Sequence, residues 1–404
     1  MKVWAEVKFN FVYFDKVPDI DWDKEIRETI PRALDTKTIE EFYQELQKVV
    51  AKLRDGHTFI MQPFAEMQAL ERPPLEFQMI EEKIIITRVG NSEEILKYKI
   101  TPGLEIIEVN GVPAKDYLND NILSYYLGNT KHWGITYGLY KLLEGKKDTK
   151  VTIKVSDFAG KINSVILTRN SELKDGSIFK YSYFDWEPLI IKQVYEKDIL
   201  YLKLSTFIFN QIVDEFYSIL DKIDFSKIKG MILDIRSNTG GNSANSYQII
   251  SHLIDKPIEA EKWKTRKYLP AFRSWGKPEE WFKVNSEPIK PSKKKRFLGP
   301  LVILTGNATA SAAEDFVVPL KYAKRATLIG NTTAGTTGNP INIVLPGGYF
   351  FSVCTKISTY PNEEEFVGIG IPPDIEVKLT RDAFIDKKDI VLEKAIKVLK
   401  NEIK

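Results

Sequence analysis

The sequence predicts a multidomain α/β protein, and three observations carry that expectation. Apolar residues recur with a helical period through roughly the first 70 residues. From about residue 75 to 170 the period changes, and short β-type runs separated by turns take over. From about residue 180 onward strands alternate with helices, the signature of an α/β layer. At 404 residues the chain is also too long for one core. The expected division is an N-terminal helical domain over 1–72, a β-rich domain over 73–172 and an α/β core domain over 173–404.

In the first region, the pattern opening at Thr36–Glu40 places Phe42, Leu46, Val49, Val50 and Leu53 on one helical face. It stops near Asp55-Gly56, since glycine suits a helix C-terminus, and His57 and Thr58 follow at that boundary. In the second region, Lys83–Arg88, Leu104–Val109, Lys150–Val155 and Val165–Thr168 read as strands, with a tight-turn signal at Asn110-Gly111. In the third, strands at Ile199–Leu204, Met231–Ile235 and Leu301–Leu304 alternate with helices at Gln211–Leu220, Ala244–Leu253 and Ala312–Ala323. Between Ile254 and Phe297 no period is clear. That stretch holds Trp263, Tyr268, Phe272, Trp275 and Trp281, and reads either as a functional wall of the substrate pocket or as a long loop packed on the core.

Composition narrows the function classes. Hydrophobic residues make up 43% and charged residues 28%, an ordinary globular balance. Lys and Arg number 58 against 55 Asp and Glu, which argues against nucleic acid as the main partner. The densest basic run, Lys293–Arg296, is bracketed by Pro291 and Gly299-Pro300 and reads as a solvated loop. One cysteine, Cys354, excludes an intramolecular disulfide. It lies in an apolar strand-like run and reads as a buried thiol. Three histidines and one cysteine do not make an ordinary structural zinc site, so no metal is expected. No apolar run reaches the length of a membrane span. Met1 is followed at once by Lys2-Val3-Trp4-Ala5, so the expectation is an upstream segment outside this sequence.

Three short segments can carry chemistry. In Leu301–Glu314 a buried strand runs into a turn of small residues and then a helix, with Ser311 at the helix N-terminus. A hydroxyl there has free backbone amides and the positive end of the helix dipole beside it, both of use to a developing oxyanion. The same residues, Ser311-x-x-Glu314, also fit a capping box. In Gly230–Gly241 a buried strand ends in a polar turn and two glycines. The amides there can face a substrate carbonyl, or the segment is an ordinary strand-to-helix turn. Serine needs a base, and histidine is the commonest. His57, His132 and His252 are the candidates, and spacing does not separate them.

Five blocks in order then resemble the tail-specific, or C-terminal processing, serine protease family. They are Leu53–Thr58, Asp234–Gly241, Thr309–Glu314, Leu328–Gly335 and Gly368–Ile375. Thr101–Pro113 also resembles part of a PDZ-like domain. The single glycine and the proline of Thr101–Leu104 favour a structural or gating role over capture of a peptide C-terminus. The resemblance implies an α/β core of the crotonase/Clp protease type. One departure is informative: where one branch of the family carries a catalytic lysine, this chain has Thr336. The sequence instead resembles the histidine-using branch that includes the tricorn core protease. That resemblance implies Ser311 as nucleophile, His57 as general base and Glu365 as the carboxylate orienting it, with Glu363 and Glu364 close in register. Amides of Gly241 and Ala312 would form the oxyanion hole. Tricorn-type sites carry a serine just before the histidine, where this chain has Gly56. The implied activity is peptide hydrolysis through an acyl-enzyme, with peptide or unfolded protein as partner and no cofactor. The extracytoplasmic setting also expected is implied only by this resemblance. The rival is a non-catalytic binding protein on the same scaffold. If a lysine served as base instead, Lys321 and Lys356 would be the candidates.

Overall fold

The computed structural model describes residues 1–182 and 186–403. Three helices open the chain: Lys2–Asn10, Trp22–Leu34 and Ile39–Ala51. The second and third start at side-chain caps, where Asp21 accepts from Lys24 N–H at 3.0 Å and Thr38 accepts from Glu41 N–H at 3.1 Å. After the third helix the chain turns through 52–58 and forms a short strand, Phe59–Met61. This strand, which the helical reading of the first region did not include, pairs antiparallel with Phe350–Val353, far along the chain.

The catalytic-core candidate is a six-stranded sheet in the spatial order Ile190–Tyr195, Ile199–Leu204, Gly230–Asp234, Leu301–Thr305, Thr327–Gly330, Ile375–Glu376. The first pair is antiparallel and every later pair is parallel. Every residue of Gly230–Asp234 and Leu301–Thr305 is buried, as expected of parallel strands covered on both faces. Alternate side chains go to opposite sides. Met231, Leu233, Leu301 and Ile303 meet the helices Gln211–Lys222, Ser243–Ser251 and Ala312–Tyr322. Ile232, Val302, Leu304 and Ile329 meet Val391, Ala395 and Leu399 of the helix Ile390–Glu402.

The N-terminal helices share the first of these cores. Val3, Val7, Phe11, Val49, Val50 and Leu53 belong to the same buried cluster as Leu204, Phe216 and Phe316. The β-rich region has a core of its own, built on Ile84, Ile86, Val151 and Ile153. Its antiparallel sheet runs Leu75–Ile80, Lys83–Val89, Glu105–Val109, Lys150–Ser156, Ile162–Thr168, with the helices Ala114–Asn121 and Lys131–Lys141 packed beside it. The turn at Thr101–Leu104 is taken up by pairing. Gly103 N–H donates to Ile86 O and Ile86 N–H to Leu104 O, both at 2.8 Å. The stretch from Ile254 to Phe297 is a β-ribbon, not an unstructured loop. Lys262–Lys267 pairs with Glu280–Asn285 on one side and Ile357–Thr359 on the other. Tyr268 stacks on Phe9 at 4.8 Å, and Trp263 lies against Phe282 at 6.2 Å, so these two aromatics tie the ribbon together and to the first helix.

Candidate active site

The turns following two adjacent parallel strands, Gly230–Asp234 and Leu301–Thr305, meet at their carboxyl ends, where open α/β sheets place their sites. Ser311 stands at the N-terminus of the helix Ala312–Tyr322 with φ 54° and ψ −126°. A positive φ is costly for a side chain with a Cβ and persists only where the surroundings impose it. Here both backbone groups of Ser311 are held. Its N–H donates to Thr336 O at 2.8 Å, and its carbonyl accepts from Glu314 N–H at 2.7 Å and Asp315 N–H at 3.0 Å.

The capping-box reading of this segment does not hold. The Ser311 side chain makes no capping bond, and Oγ lies 3.2 Å from His57 Nε2. Glu314 does not turn back to the Ser311 amide either. Its fully buried carboxylate accepts from Thr333 Oγ1 at 2.5 Å, Gly335 N–H at 2.7 Å and Thr336 N–H at 2.8 Å. Burial pushes its pKa up to about 7 against the pull of those three donors.

His57 is carried by the turn after the third helix. Asp55 fixes that turn, accepting from His57 N–H at 2.7 Å and from Asn129 Nδ2 at 3.1 Å. The other ring nitrogen of His57, Nδ1, lies 3.1 Å from Thr336 Oγ1. Burial lowers the imidazole pKa below its ordinary value of 6.5, opposed by the charges of Asp55 and Asp315 and reinforced by Lys356. The two remaining histidines are spoken for elsewhere. His132 Nε2 is 2.6 Å from Thr333 O and His252 Nδ1 is 2.9 Å from Lys295 O.

Glu365 is not brought to the imidazole. It forms an ion pair with Lys16 and is half-exposed. Glu363 reaches Lys262 at 3.2 Å. The residue meeting Nδ1 is Thr336, noted in the sequence only as a missing lysine. The candidate lysines have other partners. Lys321 donates to Pro372 O at 2.7 Å and pairs with Asp374 at 3.0 Å, and Lys356 pairs with Glu261 at 2.8 Å. Cys354 is fully buried, and burial drives its thiol pKa up, away from reactivity.

The two-glycine turn lies directly against Ser311. A Cβ on Gly240 would fall 2.8 Å from Ser311 Cβ and 2.6 Å from Ala310 O. Asn238 shapes the turn, accepting from Gly240 N–H at 2.9 Å while donating to Leu204 O at 3.1 Å. Asn242 N–H donates to Phe207 O at 3.0 Å. With the amides of Gly240, Asn242 and Ser311 all engaged, those of Gly241 and Ala312 remain without an acceptor among the described residues. The β-rich region closes the site from another side. Thr130 Oγ1 donates to Ala334 O at 2.7 Å, and Trp133 packs with Ala310 and Ala334.

Residues 198–377 match peptidase family S41. The carboxy-terminal processing protease CtpB of Bacillus subtilis is 23% identical over 309 residues, covering 75% of this chain and 54% of that protein. This chain therefore spans about half the length of that relative. The carboxyl-terminal-processing protease of Picosynechococcus sp. is 23% identical over 357 residues, covering 84% of this chain and 73% of its own. Among solved structures, mature CPAF superposes with a TM-score of 0.78 at 17% identity, covering 99% of this chain and 96% of the other. That likeness speaks to the fold.

Proposed function

Because residues 198–377 match peptidase family S41, we propose that the chain is a serine peptidase acting through an acyl-enzyme on Ser311. The observation that carries this reading is the Ser311 Oγ to His57 Nε2 approach of 3.2 Å, made by a serine at φ 54° whose side chain makes no capping bond to its own helix. His57 takes the hydroxyl proton on Nε2 as Oγ attacks the scissile carbonyl, and returns it to the leaving amine. Water then attacks the ester with the same base, releasing the acid and restoring Ser311. The amides of Gly241 and Ala312 are the donors for the oxyanion.

The substrate class is peptide or unfolded protein. The names of the curated relatives suggest carboxy-terminal segments as the preferred targets. The setting expected for such an enzyme is extracytoplasmic. Glu365, paired with Lys16, has no part in this scheme.

A fluorophosphonate probe and a peptide library test the reading together. The wild type labels and cleaves, while Ser311→Ala and His57→Gln lose both, with unfolding midpoints near the wild type. Labelling that persists in Ser311→Ala would sink the assignment. A wild type that neither labels nor cleaves would favour the binding-protein alternative.

A further inference from the structure

We propose that Thr336 is the positioning residue for the His57 imidazole, a neutral hydroxyl seated by Gly56 and Glu314 in a place where serine hydrolases use a carboxylate. This inference rests on the peptidase reading above and concerns the same site.

Thr336 touches both halves of the catalytic pair. Its Oγ1 lies 3.1 Å from His57 Nδ1, and its carbonyl accepts from Ser311 N–H at 2.8 Å. One residue therefore fixes the tilt of the base and the backbone of the nucleophile. Its own position is fixed by Glu314, which receives the Thr336 N–H at 2.8 Å and the two donors just upstream. Thr336 is 2% exposed, so water does not compete for the hydroxyl from bulk.

Gly56 makes the room. A Cβ at that position would fall 2.6 Å from Thr336 Oγ1 and 2.9 Å from Trp133 Nε1. Contacts that short force something to move, and Trp133 is packed against Ala310 and Ala334. The serine that precedes the histidine in tricorn-type sites is thus incompatible with Thr336 in its present place. The absence of that serine and the presence of the threonine are one arrangement. Gly338 continues it on the other face of the ring, since a Cβ there would lie 3.1 Å from His57 Cγ.

The chemistry of a hydroxyl differs from that of a carboxylate. When His57 is charged, both ring nitrogens are donors, so Thr336 Oγ1 is left only the acceptor role. The contact strengthens as the proton arrives from Ser311. Full charges stand farther off. Asp55 is on the histidine turn and bonded to the backbone. Asp315, on the nucleophile helix, accepts from Ser243 at 2.6 Å and Thr337 at 3.1 Å. Lys356 pairs with Glu261, and Glu314 reaches the ring only through Thr336. No carboxylate among the described residues hydrogen-bonds the ring.

The test uses Thr336→Val, which keeps the shape and both backbone hydrogen bonds, with Thr336→Ser as the conservative partner. The fluorophosphonate labelling rate of Thr336→Val falls about tenfold, the size of one hydrogen bond. The midpoint of its pH dependence moves to lower pH, because the imidazolium has lost an acceptor. Thr336→Ser restores both. The imidazole titration followed by NMR in the Ser311→Ala background gives the same downward shift without any turnover. An unchanged rate and midpoint in Thr336→Val overturns the inference while leaving the peptidase reading intact. Absent labelling in the wild type fails that reading, and the NMR titration then decides the inference alone. If Thr336→Val does not fold, Gly56→Ala replaces it. Its Cβ displaces Oγ1 and gives the same slowing and the same shift, and wild-type behaviour there counts against the inference.

Discussion

Ser311 and Glu314 were legible as a pair, and their spacing gave two readings that a sequence does not separate. Which one holds depends on φ at Ser311, a quantity set by Thr336 and by the helix amides, not by the pair itself. His57 was reached through a motif, whereas Thr336 was noticed only as the residue standing in a lysine's place, with no local signal for a contact to the histidine. Finding it requires knowing that the chain before His57 leaves a gap the width of one side chain. Glu365 was chosen because carboxylates orient histidines, and Lys16 draws it away. At this scale the pH profile is the sharpest check. The base works when neutral, so activity rises as pH passes upward through the folded pKa of His57. Burial holds that value below 6.5. The rising limb of kcat/KM, measured on a peptide between about pH 4 and 8, is expected to have its midpoint below that of a free imidazole. A midpoint above about 7 would exclude His57, in the environment described, as the base.

The elements that form the site were the most legible part of the chain. The strand Leu301–Thr305 and the helix Ala312–Tyr322 match the expected ends closely, because an all-apolar run followed by small residues leaves few alternatives. The ribbon between Ile254 and Phe297 was not read, since lysine-rich strands without a fully buried face lack the clean apolar alternation that marks a strand packed on a core. Its partner, Ile357–Thr359, is remote in sequence, so no local pattern announces the pairing. The strand-to-helix junction gives the second check. Gly240 has φ 102°, and the three atoms nearest to a Cβ there are the Ala310 carbonyl oxygen, the Ala312 amide nitrogen and Ser311 Cβ. Gly240→Ala is expected to destabilise by about 1–3 kcal/mol. The labelling rate should fall further than that loss of folded protein explains, because the displaced group is Ser311, the proposed nucleophile. Urea unfolding and labelling of the remaining folded fraction separate the two effects, and a full rate in that fraction would argue against a rigid junction.

Across the whole molecule, three regions were expected, and the helical one proves to share its buried core with the α/β sheet. It contributes Phe11, Leu53 and their neighbours to the same cluster as Phe216 and Phe316, so it has no core of its own to fold around. The β-rich region does. Separate cores predict separate unfolding units under hydrogen exchange. Phe11→Ala is expected to cost about 3–5 kcal/mol. It should lower protection together at Val50 of the third helix and at Leu233 and Ile303 of the core sheet. Protection at Val151 and Ile153 should respond far less. Loss confined to the N-terminal helices would show that they form an independent domain after all.

The strand Phe59–Met61, laid beside Phe350–Val353, gives the order of synthesis a meaning. His57 leaves the ribosome early, and its partner Ser311 follows 254 residues later. At about 5–20 residues per second, that interval is on the order of ten to fifty seconds. Throughout it the nascent chain holds the proposed base without the proposed nucleophile. The strand that anchors the histidine turn gains its neighbour only after Ser311 and Thr336 have both been made. On the peptidase reading, translation would act as a timer, and hydrolytic competence would wait until Phe350–Val353 had emerged and settled beside its partner.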